Sequence, residues 1–221
     1  MALTILLYIS ALSSLDLQIY VTMSNTMTRS GRPRKNSVDD SIIRAMAELV
    51  AERGYAAATV DEVVARAGTN KPAFYRRFKN LAEVVPRILA SRHGTDEDID
   101  TGSLVGDLTE VQRRQRILFT DPVVTRGFTG WLAHLEADPE VGAPFFRDYL
   151  APRRAYTRII LDRAVARGEI DAAGDPAWIA DLLTGPLIMR VVIPGLPPID
   201  EELLSQSIHA VLEVLGYRGD R

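Results

Sequence analysis

Apolar residues recur at helical spacing from residue 38 almost to the end of the chain, and no segment alternates convincingly between apolar and polar positions. In the first such stretch, Ile42, Met46 and Leu49 fall on one side of a helix, because residues three or four apart share a face. Further helices are predicted at about 103–119, 121–137, 139–167, 176–193 and 200–216. The pattern therefore predicts an all-α protein.

Capping residues divide the first part of the chain into short helices. Ser37 and Asp40 form an acidic variant of the capping box, and Gly54 closes the helix that they open. Thr59 and Glu62 form a full capping box for a short second helix. Dipeptides of Asp and Pro at 121–122, 138–139 and 175–176 predict further helix starts, because proline suits the first helical position.

Two features near residue 90 predict local irregularity. A fourth helix is expected from Asn80 to His93, and Pro86 inside it should kink the helix or delay its regular start. The acidic stretch 94–102, with the sequence GTDEDIDTG, contains little that could pack. We expect it to be a linker or a domain boundary.

The segment 69–80, with the sequence TNKPAFYRRFKN, combines basic and aromatic residues in an unusual way. Asn70 can cap a third helix, which follows the second through a turn at Gly68. Two short helices joined in this way have the form of a helix-turn-helix, which places its second helix in the DNA major groove. Phe74 and Phe78 share a face that must be buried. The residues expected to face outward are Lys71, Tyr75, Arg76, Arg77 and Lys79.

Charge is unevenly distributed along a chain whose net charge is −3. Residues 29–93 contain 13 Lys and Arg against 7 Asp and Glu, a net charge of +6, whereas residues 94–221 have a net charge of −8. A basic module suggests a polyanionic partner, although chance clustering of solvated charge is the alternative. The linker with Arg32, Arg34 and Lys35 is predicted to be a flexible arm that reaches phosphate or the minor groove.

Over about residues 38–92, these features together resemble the N-terminal domain of TetR-family transcriptional regulators. The residues that carry the resemblance are Gly54-Tyr55, Thr59-Val60-Asp61-Glu62-Val63, Ala67-Gly68, Lys71, Phe74-Tyr75 and Phe78-Lys79-Asn80. The acidic helical remainder is similar in length and helix content to the ligand-binding and dimerising domain of that family. We therefore expect a three-helix helix-turn-helix domain with its arm at 29–93 and a larger helical domain at 94–221.

The resemblance also implies roles for single residues. Thr59 would touch phosphate through its hydroxyl or its backbone amide, Lys71 and Tyr75 would contact backbone or bases, and Lys79 would contact phosphate. The alternative is that Thr59 only caps its helix and that Lys79 is a solvated charge. The complete set predicted to bind DNA is Arg32, Arg34, Lys35, Thr59, Asn70, Lys71, Ala73, Tyr75, Arg76, Arg77 and Lys79.

Three of these positions depart from the family's usual residues. Arg76 stands where many members have an aromatic residue, and Arg77 stands where many have histidine. Ala73 replaces a common Thr or Ser, which removes one hydroxyl contact. The departures leave the phosphate-binding role intact and leave the base contacts open.

In that family, a small molecule binds among the C-terminal helices and releases the DNA operator. The residues expected to line an effector pocket here are Phe128, Trp131, His134, Leu135, Phe146, Trp178, Leu182, Met189 and Arg190. Their composition suggests a small apolar or aromatic effector. The alternative is that these side chains form ordinary core, in a DNA-binding regulator or architectural protein whose C-terminal domain only dimerises.

The resemblance further implies a homodimer that matches a palindromic operator. The last two helices would build its four-helix interface. Their apolar residues are Ile179, Leu182, Leu183, Leu187, Leu203, Leu204, Ile208, Val211, Leu212 and Leu215.

Other functional classes find little support in the sequence. The chain has no cysteine, and its three histidines lie far apart, so no metal site or cofactor is expected. It contains no phosphate-binding glycine loop, nucleophile elbow or zinc-protease motif, which argues against an enzyme. The lack of cysteine fits a reducing compartment, and we expect a cytoplasmic protein without a membrane partner.

Residues 1–28 form an apolar segment without any Lys or Arg. A signal peptide needs a basic start, and polar residues interrupt the apolar run that a membrane span would need. We expect a non-native or disordered extension here, with an interfacial anchor as the alternative.

Overall fold

The computed structural model describes residues 38–94, 96–137 and 139–219, and these residues form ten α-helices with no strand among them. The predicted all-α fold is confirmed. The first four helices are α1 (Val38–Arg53), α2 (Val60–Arg66), α3 (Lys71–Tyr75) and α4 (Val84–His93). The segment 1–28, the basic residues Arg32, Arg34 and Lys35, and the predicted cap Ser37 lie outside the described residues.

The six later helices follow the five predicted segments closely. They are α5 (Leu104–Thr120), α6 (Pro122–Ala137), α7 (Pro139–Phe145), α8 (Ala151–Ala166), α9 (Pro176–Val192) and α10 (Glu201–Val214). The helix predicted over 139–167 is divided by a π-helical turn at Phe146–Leu150. Pro144 lies inside α7, two residues before that turn, and cannot donate a backbone hydrogen bond. No described helix combines the length and the hydrophobicity that a membrane span requires.

The predicted helix caps are present wherever the structure describes them. Thr59 and Asn70 each accept a hydrogen bond from the amide three residues further on, at 3.3 and 2.9 Å. Asp121 and Asp175 accept from the amide two residues further on, at 2.8 and 2.9 Å. Asp138, the third predicted aspartate cap, lies outside the described residues.

Pro86 lies in the first turn of α4, where a proline is tolerated. A 3-10 turn at Leu81–Glu83 comes before the helix, and the Asn80 side chain caps that turn with a 3.2 Å bond from the Glu83 amide. The regular α-helix begins only at Val84. The expected delay in the start of this helix is therefore confirmed.

One apolar cluster joins the first four helices to α6. It contains Ile42, Phe74 and Phe78 from the N-terminal segment and Val124 and Trp131 from α6. Gly127 permits the close approach of α6 to α1, because a Cβ atom there would lie 2.5 Å from Val50 Cγ1. The domain boundary near residue 94 remains a prediction.

The acidic stretch that resembled a linker is anchored to the protein at two buried residues, Asp96 and Ile99. Ile99 is 1% exposed and belongs to a second apolar cluster, with Leu104 and Ile160. Asp96 is buried and forms a 2.6 Å ion pair with Arg153. One isoleucine among acidic residues gives no helical or strand periodicity, which is why the sequence did not show this packing.

Candidate DNA-binding site

A tight glycine turn sets the angle between α2 and α3. Gly68 has a φ of +65°, a conformation that glycine adopts without the strain of a side chain. The Thr69 amide donates to the Val64 carbonyl at 2.9 Å and closes the end of α2. The Asn70 cap then starts α3, so that the two helices form the predicted helix-turn-helix.

The inner side of α3 rests on the core. Phe74 is fully buried and Phe78 is 3% exposed, and their ring centroids lie 5.6 Å apart. Both pack in the cluster that includes Val63 of α2 and Ile42 of α1. Ala73 is also buried, so it presents no exposed side chain to DNA although it was among the predicted contacts.

The outer side of α3 and of the turn after it carries most of the predicted DNA contacts. Lys71, Arg76 and Lys79 are exposed, and Tyr75 is 55% exposed. Among the described residues, no side chain pairs with Arg76 or Lys79. The structure thus places Tyr75 on a solvent-facing surface with Arg76 and Lys79, whose charges no described side chain neutralises.

Two cations of this surface, Lys71 and Arg77, have partners within the protein. Lys71 Nζ lies 2.8 Å from Asp61 Oδ1, and the hydrogen bond and charge of Asp61 raise the pKa of Lys71. Arg77 pairs with Asp39 and donates to the Ala73 carbonyl at 2.9 Å. Phosphate contacts by these two side chains must therefore compete with carboxylates.

Thr59 is an exposed N-cap whose hydroxyl is already occupied. The hydroxyl accepts from the Glu62 amide and donates to Glu62 Oε2 at 2.9 Å. The hydrogen bond from Thr59, followed by that from Arg53, lowers the pKa of Glu62. A phosphate contact through this hydroxyl would have to replace its bond to Glu62.

We expect Lys79→Ala to weaken binding to all duplexes, because an exposed and unpaired ammonium can neutralise one phosphate. The slope of log K against log salt should become shallower by about 0.9 per lost phosphate contact. Fluorescence anisotropy with a labelled duplex at several salt concentrations measures this slope. The matched control is Arg158→Ala on α8, an exposed arginine paired with Asp162. An unchanged slope for Lys79→Ala would assign Lys79 to the solvated charges.

Two of the predicted effector residues line a small cavity within the part of the chain that the structure describes. Phe128 and Trp131 line a cavity of about 20 Å³ between α1, α4 and α6, together with Val85 and Leu89. Such a space holds about one water molecule. The cavity is therefore much smaller than a site for a small organic molecule.

The other predicted pocket residues lie in different surroundings. The His134 ring lies edge-on to Tyr55, 5.9 Å away, and Leu135 packs against the first apolar cluster. Phe146 in the π-helical turn and Leu182 in α9 are half-buried. Arg190 is half-buried as well, and its Nε has no hydrogen-bond partner among the described residues.

Helix α9 has two apolar faces, and the structure assigns them differently from the sequence prediction. Trp178 and Met189, predicted for the pocket, are 53% and 49% exposed. Several residues predicted for the dimer interface are instead buried in the chain's own core: Ile179, Leu183, Leu187, Leu204, Val211 and Leu215. Helical periodicity identifies apolar faces, but it cannot show which of two faces packs inward.

Sequence reasoning missed a polar contact between the end of α4 and the start of α6. His93 Nε2 and Arg92 Nη2 lie 3.2 and 2.8 Å from Asp121 Oδ2. The pKa of His93 is lowered, mainly because the side chain is partly buried. The residues are 28 positions apart in the sequence, and no local pattern connects them.

Family comparisons agree with this geometry. Residues 42–88 match the sequence model of the family described as bacterial regulatory proteins, tetR family. Residues 98–211 match the model described as the tetracyclin repressor-like C-terminal domain. The two matches fall on the helix-turn-helix segment and on the helical remainder.

Individual relatives give the same result. The uncharacterized HTH-type transcriptional regulator Rv1556 of Mycobacterium tuberculosis is 33% identical over 155 residues, which are 68% of this chain and 74% of the relative. The DNA-binding transcriptional repressor TetR of Mycobacteroides abscessus is 28% identical and covers 79% of this chain and 91% of its own length. The crystal structure of the TetR family transcription regulator SCO0332 has a TM-score of 0.65 at 23% identity, covering 81% of this chain and 98% of that one.

Proposed function

Because this chain belongs to the TetR family of transcriptional regulators, we propose that it represses transcription by binding a palindromic operator as a cytoplasmic homodimer. The main supporting observation is the outer surface of α3. There Tyr75, Arg76 and Lys79 face solvent while Phe74 and Phe78 anchor the helix in the core. A helix held in this way can enter the major groove without a change in its packing.

A second copy of the chain is the proposed occupant of the exposed face of α9. Trp178 and Met189 lie eleven residues apart on that face, and Ile193 follows one turn later. Gly185 lies between them, and a Cβ atom added there would have no neighbouring atom within 4 Å. A two-fold dimer through this face would present two copies of α3, as a palindrome requires.

We further propose that a small apolar or aromatic effector binds among the C-terminal helices and releases the operator. Supporting this proposal, Phe128, Trp131, Phe145 and Tyr149 form a chain of ring contacts with centroids 4.5–6.4 Å apart. The small size of the cavity instead favours the second candidate, a regulator whose C-terminal domain only dimerises. Release of bound operator by an apolar or aromatic compound would support the first candidate, a repressor that an effector releases from its operator.

Selection of bound duplexes from random DNA tests the central proposal. We expect a palindromic consensus, two chains per duplex, and affinity that falls steeply with salt as neutralised phosphates release counterions. Light scattering gives the stoichiometry, and anisotropy gives the salt dependence. A monomer that binds no duplex at low salt would contradict the proposal.

A further inference from the structure

The carbonyl of Ala82 is bonded to a side chain of α6. Ala82 lies in the 3-10 turn before α4, and in an α-helix extended back to this turn its oxygen would accept the amide hydrogen of the residue four positions later. That residue is Pro86, which has no amide hydrogen. Ala82 is fully buried, so its oxygen needs a partner from elsewhere in the protein.

The indole of Trp131 supplies that partner from α6. Its Nε1–H donates to the Ala82 oxygen at 3.3 Å, across 49 positions of sequence. Trp131 is 1% exposed, and the Phe145 ring packs edge-on against it at 4.5 Å. The donor is therefore held in place by residues of the C-terminal segment.

This bond lies next to the DNA-binding surface. Ala82 is separated by only two residues from Lys79 and by three from Phe78, which anchors the end of the α3 region in the core. Helix α6 also contacts the C-terminal end of α1. There Arg126 Nη1 donates to the Ala51 and Glu52 carbonyls at 3.0 Å each. The contact of Trp131 thus joins α6 to the segment between α3 and α4.

We propose that Trp131 is a positioning residue for DNA binding, which fixes the segment between α3 and α4 through a carbonyl to which Pro86 cannot donate. This inference rests on the proposed DNA-binding function. When the bond is present, α6 determines where Phe78 and Lys79 lie relative to the rest of the chain. When it is lost, this segment is free to shift and fewer molecules present α3 in the orientation that the operator needs.

A double-mutant cycle at positions 86 and 131 tests the proposal with the full-length chain and the selected duplex. Trp131→Phe keeps an aromatic ring and removes the donor, and should lower operator affinity about tenfold because a buried acceptor is left unpaired. Pro86→Ala provides an amide hydrogen for Ala82. In that background Trp131→Phe should cost less than about threefold, since the oxygen already has a partner.

Fluorescence gives a second readout that does not require removing Trp131. Trp178→Phe keeps an aromatic ring on the exposed face of α9 and leaves Trp131 as the only tryptophan, and light scattering first checks that this variant is still a dimer. Operator should then change the Trp131 emission more than an unrelated duplex of equal length, and Pro86→Ala should reduce this change. The same four proteins of the cycle are also unfolded in urea, where positions 86 and 131 should couple without any DNA present.

The outcomes separate the inference from the proposed function. An equal loss of affinity from Trp131→Phe in both backgrounds, or no loss at all, would overturn the inference and leave Trp131 as a packing residue. If the unaltered chain binds no duplex, the proposed function fails. The urea cycle then still decides whether Trp131 and the amide at position 86 compete for the same carbonyl.

Discussion

Replacing Phe74 with alanine should lower the free energy of unfolding by about 3–5 kcal/mol and abolish operator binding. The side chain has no exposed surface and contacts the rings of Tyr75 and Phe78 at centroid distances of 5.4 and 5.6 Å. Removing it leaves a cavity beneath a helix of only five residues, which cannot hold its shape alone. Urea unfolding followed by circular dichroism measures the loss of stability, and anisotropy measures the loss of binding.

The matched control for this variant is Tyr75→Ala, one position further along α3. Tyr75 is 55% exposed, so its removal should change the free energy of unfolding by less than about 1 kcal/mol. It should still weaken operator binding, because the ring lies on the proposed DNA-binding surface. Equal stability losses in the two variants would show that α3 is not held by its phenylalanine face.

Trp178→Glu should convert the dimer into a monomer and lower operator affinity by at least about a hundredfold, since each chain would then hold only one half-site. The indole is 53% exposed in the single chain, so a charge there should not disturb the fold. Across a two-fold interface, however, the same substitution places a carboxylate in an apolar contact on both subunits. Light scattering at micromolar protein gives the oligomeric state, and titration of the operator gives the affinity.

The control variant for the dimer is Ile117→Glu on α5. Ile117 is 48% exposed, which is close to the exposure of Trp178, but it lies on a different helix. We expect this variant to remain a dimer with unchanged operator affinity. A dimer that survives Trp178→Glu, or one that Ile117→Glu also breaks, would exclude the exposed face of α9 as the interface.

The helix-turn-helix could be predicted from the sequence because its determinants are local. Thr59 and Asn70 act on amides three residues away, and Gly68 turns the chain by its own conformation. Phe74 and Phe78 meet because residues four apart share a helix face. Each of these interactions joins residues less than a dozen positions apart. Composition and spacing alone were therefore enough to predict the two helices and their buried face.

The candidate surface was only partly predictable, since ion pairs depend on what folds beside it. The sequence indicated that Lys71 and Arg77 face outward, but it did not show that Asp61 and Asp39 hold them. Arg77 and Asp39 are 38 positions apart, beyond the reach of any helical pattern.

By itself, the sequence determined the all-α class, most of the helix boundaries and the buried side of α3, because each depends on neighbours within a few turns. Only the tertiary structure decided which face of α9 packs inward, how Ile99 enters the core, and why Pro86 is accommodated. Those outcomes depend on side chains brought together from distant parts of the chain. Apolar periodicity predicts that a helix face must be buried, and the packing of the whole molecule decides which residues bury it.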